Sequence, residues 1–207
     1  MAVSMRSTPK PDFGRGRRGT PDLLRTLSDK WGFVAEAYEL SGDIAGTFSS
    51  SRARTELVAG NLEDVAHVLG RPHAITGLVV SGDGRGKGLG FPTANLAEIE
   101  EGLPPEGVYT CIVCEVTPAQ PHRRLGLGVM SLGPRPTVNS GFAVEVHVLD
   151  FADDLYSKRL RVHIVHRLRG IERFADVGVL RTQIAADIGQ ARLYLKQWLR
   201  ANREPSV

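Results

Sequence analysis

Glu145 stands inside a run, 143–149, in which valines alternate with other side chains. As a strand, this run puts Val144, Val146 and Val148 on one face and Glu145, His147 and Leu149 on the other. A carboxylate there either faces solvent or lines a cleft, where it could accept a proton from an attacking hydroxyl. Two further candidates lie upstream, where Thr93 and Asn95 follow Pro92. On an extended chain their side chains share a face. A hydroxyl and an amide carbonyl are hard oxygen donors, suited to a Mg2+ ion that phosphates already hold. The competing reading is that both merely cap a turn.

Just before them, Gly82-Asp-Gly-Arg-Gly-Lys-Gly-Leu-Gly90 places glycine at every second position. Glycine weakens strand and helix interiors alike, so the stretch reads as a loop. Backbone N–H groups in such a loop can converge on a phosphate. Arg85 and Lys87 add cations among Gly82, Gly84 and Gly86, which favours an anion over a plain glycine hairpin. The stretch matches neither G-x-x-x-x-G-K-[ST] nor G-x-G-x-x-G.

The rest of the chain must position these groups. With 207 residues it can build one sizeable core, or a core and part of a second. From Ile75 to Leu168, short β-rich runs alternate with Gly, Pro and Asp: 75–82, 107–116, 125–133, 143–151 and 160–168. This spacing suggests a small antiparallel barrel. A helix over 177–202 follows, with Leu180, Ile184, Ile188, Ala191, Leu195, Trp198 and Leu199 as its apolar stripe. The first third has an α/β texture. Thr20 and Pro21 open a helix with Leu24, Leu27 and Trp31 on one stripe, 33–40 reads as a strand, and 49–61 and 61–70 read as helices.

Several other features carry less chemistry. The net charge is +3, with Arg6, Lys10, Arg15, Arg17 and Arg18 concentrated at the start. This reads as a solvated tail, and no nucleic-acid partner is expected. No run of about eighteen apolar residues and no signal-peptide pattern occurs, so no membrane association is expected and the cytoplasm is the expected location. Cys111 and Cys114 lie three apart on a strand, which places them on opposite faces as buried thiols rather than metal ligands. The same spacing should separate His163 from His166.

In order along the chain stand G-x-G-R-G…L-G-F-P-T-A-N, then L-P-P-E-G-V-Y, S-L-G-P-R-P-T, V-E-V-H-V-L-D-F-x-x-D-L-Y-x-K and L-R-x-x-E-R-F. This series, over about 72–195, resembles the riboflavin kinase family. The resemblance implies a mainly β fold: a six-stranded antiparallel Greek-key barrel with a long C-terminal helix. It implies ATP-dependent phosphorylation of the riboflavin ribityl 5′-hydroxyl to give FMN, with Mg2+. On matching positions it makes Gly82, Gly84, Arg85, Gly86 and Lys87 the loop over the ATP phosphates. Thr93 and Asn95 become metal and nucleotide ligands, Glu145 the catalytic base, and Arg169 and Phe174 part of the loop that closes on the flavin. Two departures stand out. Glu172 sits one residue later than the usual loop glutamate and receives no role, and Ser157 replaces a common glycine. A flavin- or nucleotide-binding module without catalysis is the alternative.

In bacteria such a kinase usually follows an FMN adenylyltransferase domain. Residues 12–24, with F-G-x-x-x-x-G-T, and 48–72, with S-S-S-x-x-R, resemble the end of that domain. None of the six histidines forms the H-x-G-H motif that adenylyl transfer requires, so no FAD synthesis is expected. The expected organisation is a basic tail (1–19), a short α/β remnant (20–70) and the kinase barrel (71–203). The remnant's apolar faces could support self-association.

Overall fold

The computed structural model describes residues 5–7, 16, 18–37, 41–82, 84–117, 119, 123–134 and 142–202. The chain divides into two compact units, Met1–Ser49 and Ser50–Val207.

In the first unit, strands β1 (Met5–Ser7) and β2 (Ala35–Ala37) pair in parallel, so the expected tail contributes a strand. Helix α1 (Pro21–Trp31) begins as expected: Thr20 Oγ1 accepts from the Leu23 amide at 3.1 Å, and Pro21 opens the first turn. Its stripe is shorter than expected. Leu24 is buried, whereas Trp31 is exposed, with the Lys30 ammonium 5.5 Å from its ring centroid. A two-residue pair, β3 (Gly42–Asp43) with β4 (Gly46–Thr47), completes this unit. Of the strand expected over 33–40, residues 38–40 lie outside the described residues.

The second unit starts earlier than the expected boundary at residue 70. Helices α2 (Ser50–Ala59) and α3 (Leu62–Leu69) send Leu57, Leu62 and Val65 into the same core as the barrel strands. The barrel consists of β5 (His73–Val80), β6 (Ala94–Ala97), β7 (Gly107–Val116), β8 (Arg123–Pro134), β9 (Phe142–Val148) and β10 (Arg159–Arg169). It closes in the order β10-β5-β6-β9-β8-β7, antiparallel throughout. Strands β7, β8 and β9 are sequential neighbours, and β10 returns beside β7, which is a Greek key. Alternation fixes what points inward. Val144, Val146, Met130, Leu132, Tyr109, Ile75, Val162 and Ile164 fill the interior.

Helix α5 (Val177–Ala201) covers the outside of β7 and β10, where Leu195 packs with Ile112, Cys114 and Val165. Asp176 caps it by accepting from the Val179 amide at 2.9 Å. Cys111 lies in the barrel core and Cys114 under α5, on opposite faces as expected. The histidine expectation fails. Pairing between β10 and β7 shifts register between Ile164 and His166. The extra residue turns His166 to the same outer face as His163, where it stacks on Tyr194 at 4.2 Å.

Candidate active site

The site is built where β6 meets β9. Because Val144 and Val146 point inward, Glu145 must point out. The register sets Asn95 directly opposite Glu145. Thr93, one residue before β6, donates from Oγ1 to Glu145 Oε2 at 3.3 Å. The three oxygen-bearing side chains singled out from sequence are thus gathered at one place, by pairing between strands rather than by nearness in sequence.

The glycine stretch is not a hairpin. Residues Arg85–Leu89 form a single turn, α4, and Phe91 donates its amide to the Gly86 carbonyl at 2.8 Å. Two glycines are required by close approach. A Cβ on Gly82 would lie 2.1 Å from Asn95 Nδ2, and one on Gly86 would lie 2.5 Å from the Phe91 carbonyl oxygen and 3.0 Å from Thr93 Oγ1. Side chains are absent there so that the loop can lie against Thr93 and Asn95. The side chains of Arg85 and Lys87 fall outside the described residues, as do 135–141, which include most of the P-R-P-T stretch.

Beside these groups opens a cleft of about 520 Å3, lined by Gly82, Gly84, Thr93 and Asn95 on one side and by Phe151 and Tyr156 on the other. That volume suits a nucleotide-sized ligand. The Asp153–Lys158 turn that forms its far wall places Ser157 at φ 60°, the left-handed region that glycine adopts without cost. A serine at this position therefore carries a backbone strain that glycine would not.

The donor set fits a magnesium ion held mainly by phosphates. When Thr93 donates its proton to Glu145, the lone pairs of Oγ1 remain for a cation, and Asn95 adds an amide oxygen. Among the described residues no cluster of three His, Cys, Asp or Glu side chains could hold a metal unaided. A cation there would depend on ligands brought by a nucleotide.

Arg169, at the end of β10, is linked to Glu145 through the strand pairings. Its cross-strand partner is Val108, which pairs with Ser131, which pairs with Glu145, which pairs with Asn95. One continuous row therefore crosses the outside of the barrel. Arg169 and Glu145 are three strands apart in either direction round the closed barrel, so the row joins opposite sides of it. The Arg169 guanidinium is already engaged. Nε and Nη2 donate to Asp187 at 3.0 and 2.7 Å, and Nη1 donates to the Gly170 carbonyl at 3.0 Å. Its face lies 5.5 Å from the Phe174 ring centroid. Gln183 donates a further bond to Asp187 at 2.9 Å.

Sequence reasoning missed Asp187 and Ser131. Asp187 is 3% exposed within the apolar stripe of α5. An acid three residues after Ile184 and four before Ala191 was the available signal. Ser131 could have been found from the alternation of Met130 and Leu132 around it.

A family profile described as "Flavokinase: Riboflavin kinase" matches residues 69–195. The bifunctional riboflavin kinase/FMN adenylyltransferase of Pseudomonas fluorescens is 38% identical over 182 residues, covering 87% of this chain and 57% of that protein. The protein of the same description from Escherichia coli strain K12 is 37% identical over 188 residues, covering 87% of this chain and 56% of its own. This chain thus spans a little over half the length of these relatives. Among solved structures, one described as a macrolide-efflux protein from Streptococcus pneumoniae superposes with a TM-score of 0.74 at 28% identity, covering 89% of this chain and 58% of that one. A profile match that runs from before β5 into α5, with relatives above 30% identity along most of the chain, places this protein in the riboflavin kinase family.

Proposed function

We propose that the chain transfers the γ-phosphoryl group of ATP to the 5′-hydroxyl of riboflavin, giving FMN and ADP. The observation that carries this reading is the convergence of Thr93, Asn95 and Glu145 at a glycine-lined cleft. Phosphoryl transfer asks for positioning, charge neutralisation and modest help to the nucleophile. Each need has a residue here. The loop around Gly82, Gly84 and Gly86 lies against the phosphates, with Arg85 and Lys87 as its cations. Thr93 and Asn95 hold Mg2+, which when bound offsets phosphate charge. Thr93 also fixes Glu145 Oε2, leaving Oε1 to take the proton from the flavin hydroxyl as the O–P bond forms.

Arg169 and Phe174 flank the flavin from the far end of the row. Arg169 acts there by holding Phe174 in place, with Nε and one N–H each of Nη1 and Nη2 committed to Asp187 and Gly170. The segment ahead of the barrel derives from the end of an adenylyltransferase domain. Supporting this, the match to the bifunctional relatives extends beyond residues 69–195.

Glu145→Gln tests the reading. Turnover should fall by about 10²–10⁴-fold, while affinities for Mg-ATP and riboflavin stay close to wild type. Unchanged turnover would remove Glu145 from the role of base.

A further inference from the structure

His147 has no part in the chemistry above, yet it touches the segment on which the chemistry depends. It lies two residues after Glu145 on the same outer face of β9. Pairing between β6 and β9 ends at Ala94 and Val146. Beyond this point Pro92 has no amide with which to continue the ladder. The His147 side chain takes over: Nδ1 lies 2.7 Å from the Pro92 carbonyl oxygen. The Phe91 ring meets the imidazole edge to face, with centroids 6.0 Å apart and planes at 86°. The opposite side of the same segment rests on the loop, where Phe91 donates to the Gly86 carbonyl. Phe91–Thr93 is therefore clamped between the glycine loop and one histidine, directly before the Thr93 hydroxyl that meets Glu145.

We propose that His147 is the positioning residue of this site, acting through the Pro92 carbonyl to hold both the Thr93 hydroxyl and the glycine loop in register with Glu145. A carbonyl oxygen only accepts, so the ring nitrogen facing it must carry a proton. Neutral His147 is then fixed as the Nδ1–H tautomer. Without this bond the sheet end would still form, because the ladder stops at Ala94 regardless. The turn ahead of Thr93 would lose an anchor to β9 and be left with the Thr93–Glu145 bond. The inference rests on the proposed role of Thr93 in nucleotide binding.

Two measurements test it. Nitrogen-15 NMR of the histidine rings in the unliganded protein should show His147 protonated at Nδ1, and a bare Nδ1 would overturn the proposal whatever the activity. Calorimetric titration with Mg2+ and a non-hydrolysable ATP analogue should show His147→Leu binding about five- to tenfold more weakly, the worth of one hydrogen bond. His147→Asn, which can present an N–H near the Nδ1 position, should recover most of that loss. Leu and wild-type affinities that coincide would overturn the proposal. Should the Leu variant not fold, the ring spectrum decides by itself. A wild-type protein that binds the analogue but makes no FMN would defeat the kinase reading and leave the His147 result standing.

Discussion

Asn95 fills the space that a side chain at residue 82 would need. A methyl group on Gly82 would fall 2.1 Å from Asn95 Nδ2, so alanine cannot enter without moving the amide. Gly82 itself is exposed and outside the core, so Gly82→Ala should leave the folded barrel intact. Its affinity for Mg-ATP should fall by about 10–100-fold, as when a neighbour of a metal ligand is disturbed. Calorimetry with the alanine variant checks this, and wild-type affinity would show that Asn95 is not a ligand. At this scale the sequence was informative where residue type and spacing both carry chemistry, as in Thr93, Asn95 and Glu145. It was silent where a residue matters through a partner far along the chain. Asp187 reads as a flaw in an apolar stripe until Arg169, eighteen residues earlier, is seen beside it.

The junction of β10 and α5 depends on that pair. The Asp187 carboxylate raises the pKa of the Arg169 guanidinium through hydrogen bonding, and both side chains are largely shielded from water. Removing one partner leaves a buried charge uncompensated, which costs about 3–5 kcal/mol. Asp187→Ala should therefore lose stability on that order in urea unfolding, and the double variant Asp187→Leu with Arg169→Met should lose less. In a folded Asp187→Asn variant, KM for riboflavin should rise while Mg-ATP affinity holds, since Asp187 bonds Arg169 at the end of β10 and Gln183 on α5 rather than the residues at Asn95. Elements with clean alternation, such as β9, were legible in the sequence. Strand β6 was not, because four residues around Asn95 give too short a pattern. The single turn α4 was hidden by glycines that disfavour helix, and the bulge in β10 by a histidine spacing that reads correctly only for an unbroken strand.

At the scale of the molecule, closure of the barrel makes the site a product of pairings from several strands, so stability and function share a scaffold. One charged group at its rim gives that scaffold a pH dependence. Arg123 donates from Nε to Glu115 at 2.9 Å, with Lys158 nearby, and this holds the Glu115 carboxyl below its ordinary range. A depressed carboxyl contributes stability above its unfolded pKa, near 4.3, and loses it as pH falls through the lower folded value. The urea midpoint should thus drop below about pH 4.5, and Glu115→Gln should flatten part of that drop. An unaltered acid limb in the variant would locate the sensitivity elsewhere. The fold class was readable from strand spacing and apolar faces. The division at Ser49 and Ser50 was not, because α2 and α3 join the barrel core through Leu57, Leu62 and Val65, contacts that no local pattern displays.

The central claim is the reaction itself. Incubation of the chain with riboflavin, ATP and Mg2+, followed by chromatography with fluorescence detection, separates riboflavin, FMN and FAD. The account predicts FMN, formed in step with ADP, and no FAD from a chain that lacks the H-x-G-H motif. Riboflavin left unchanged by a folded protein that binds both substrates would contradict it.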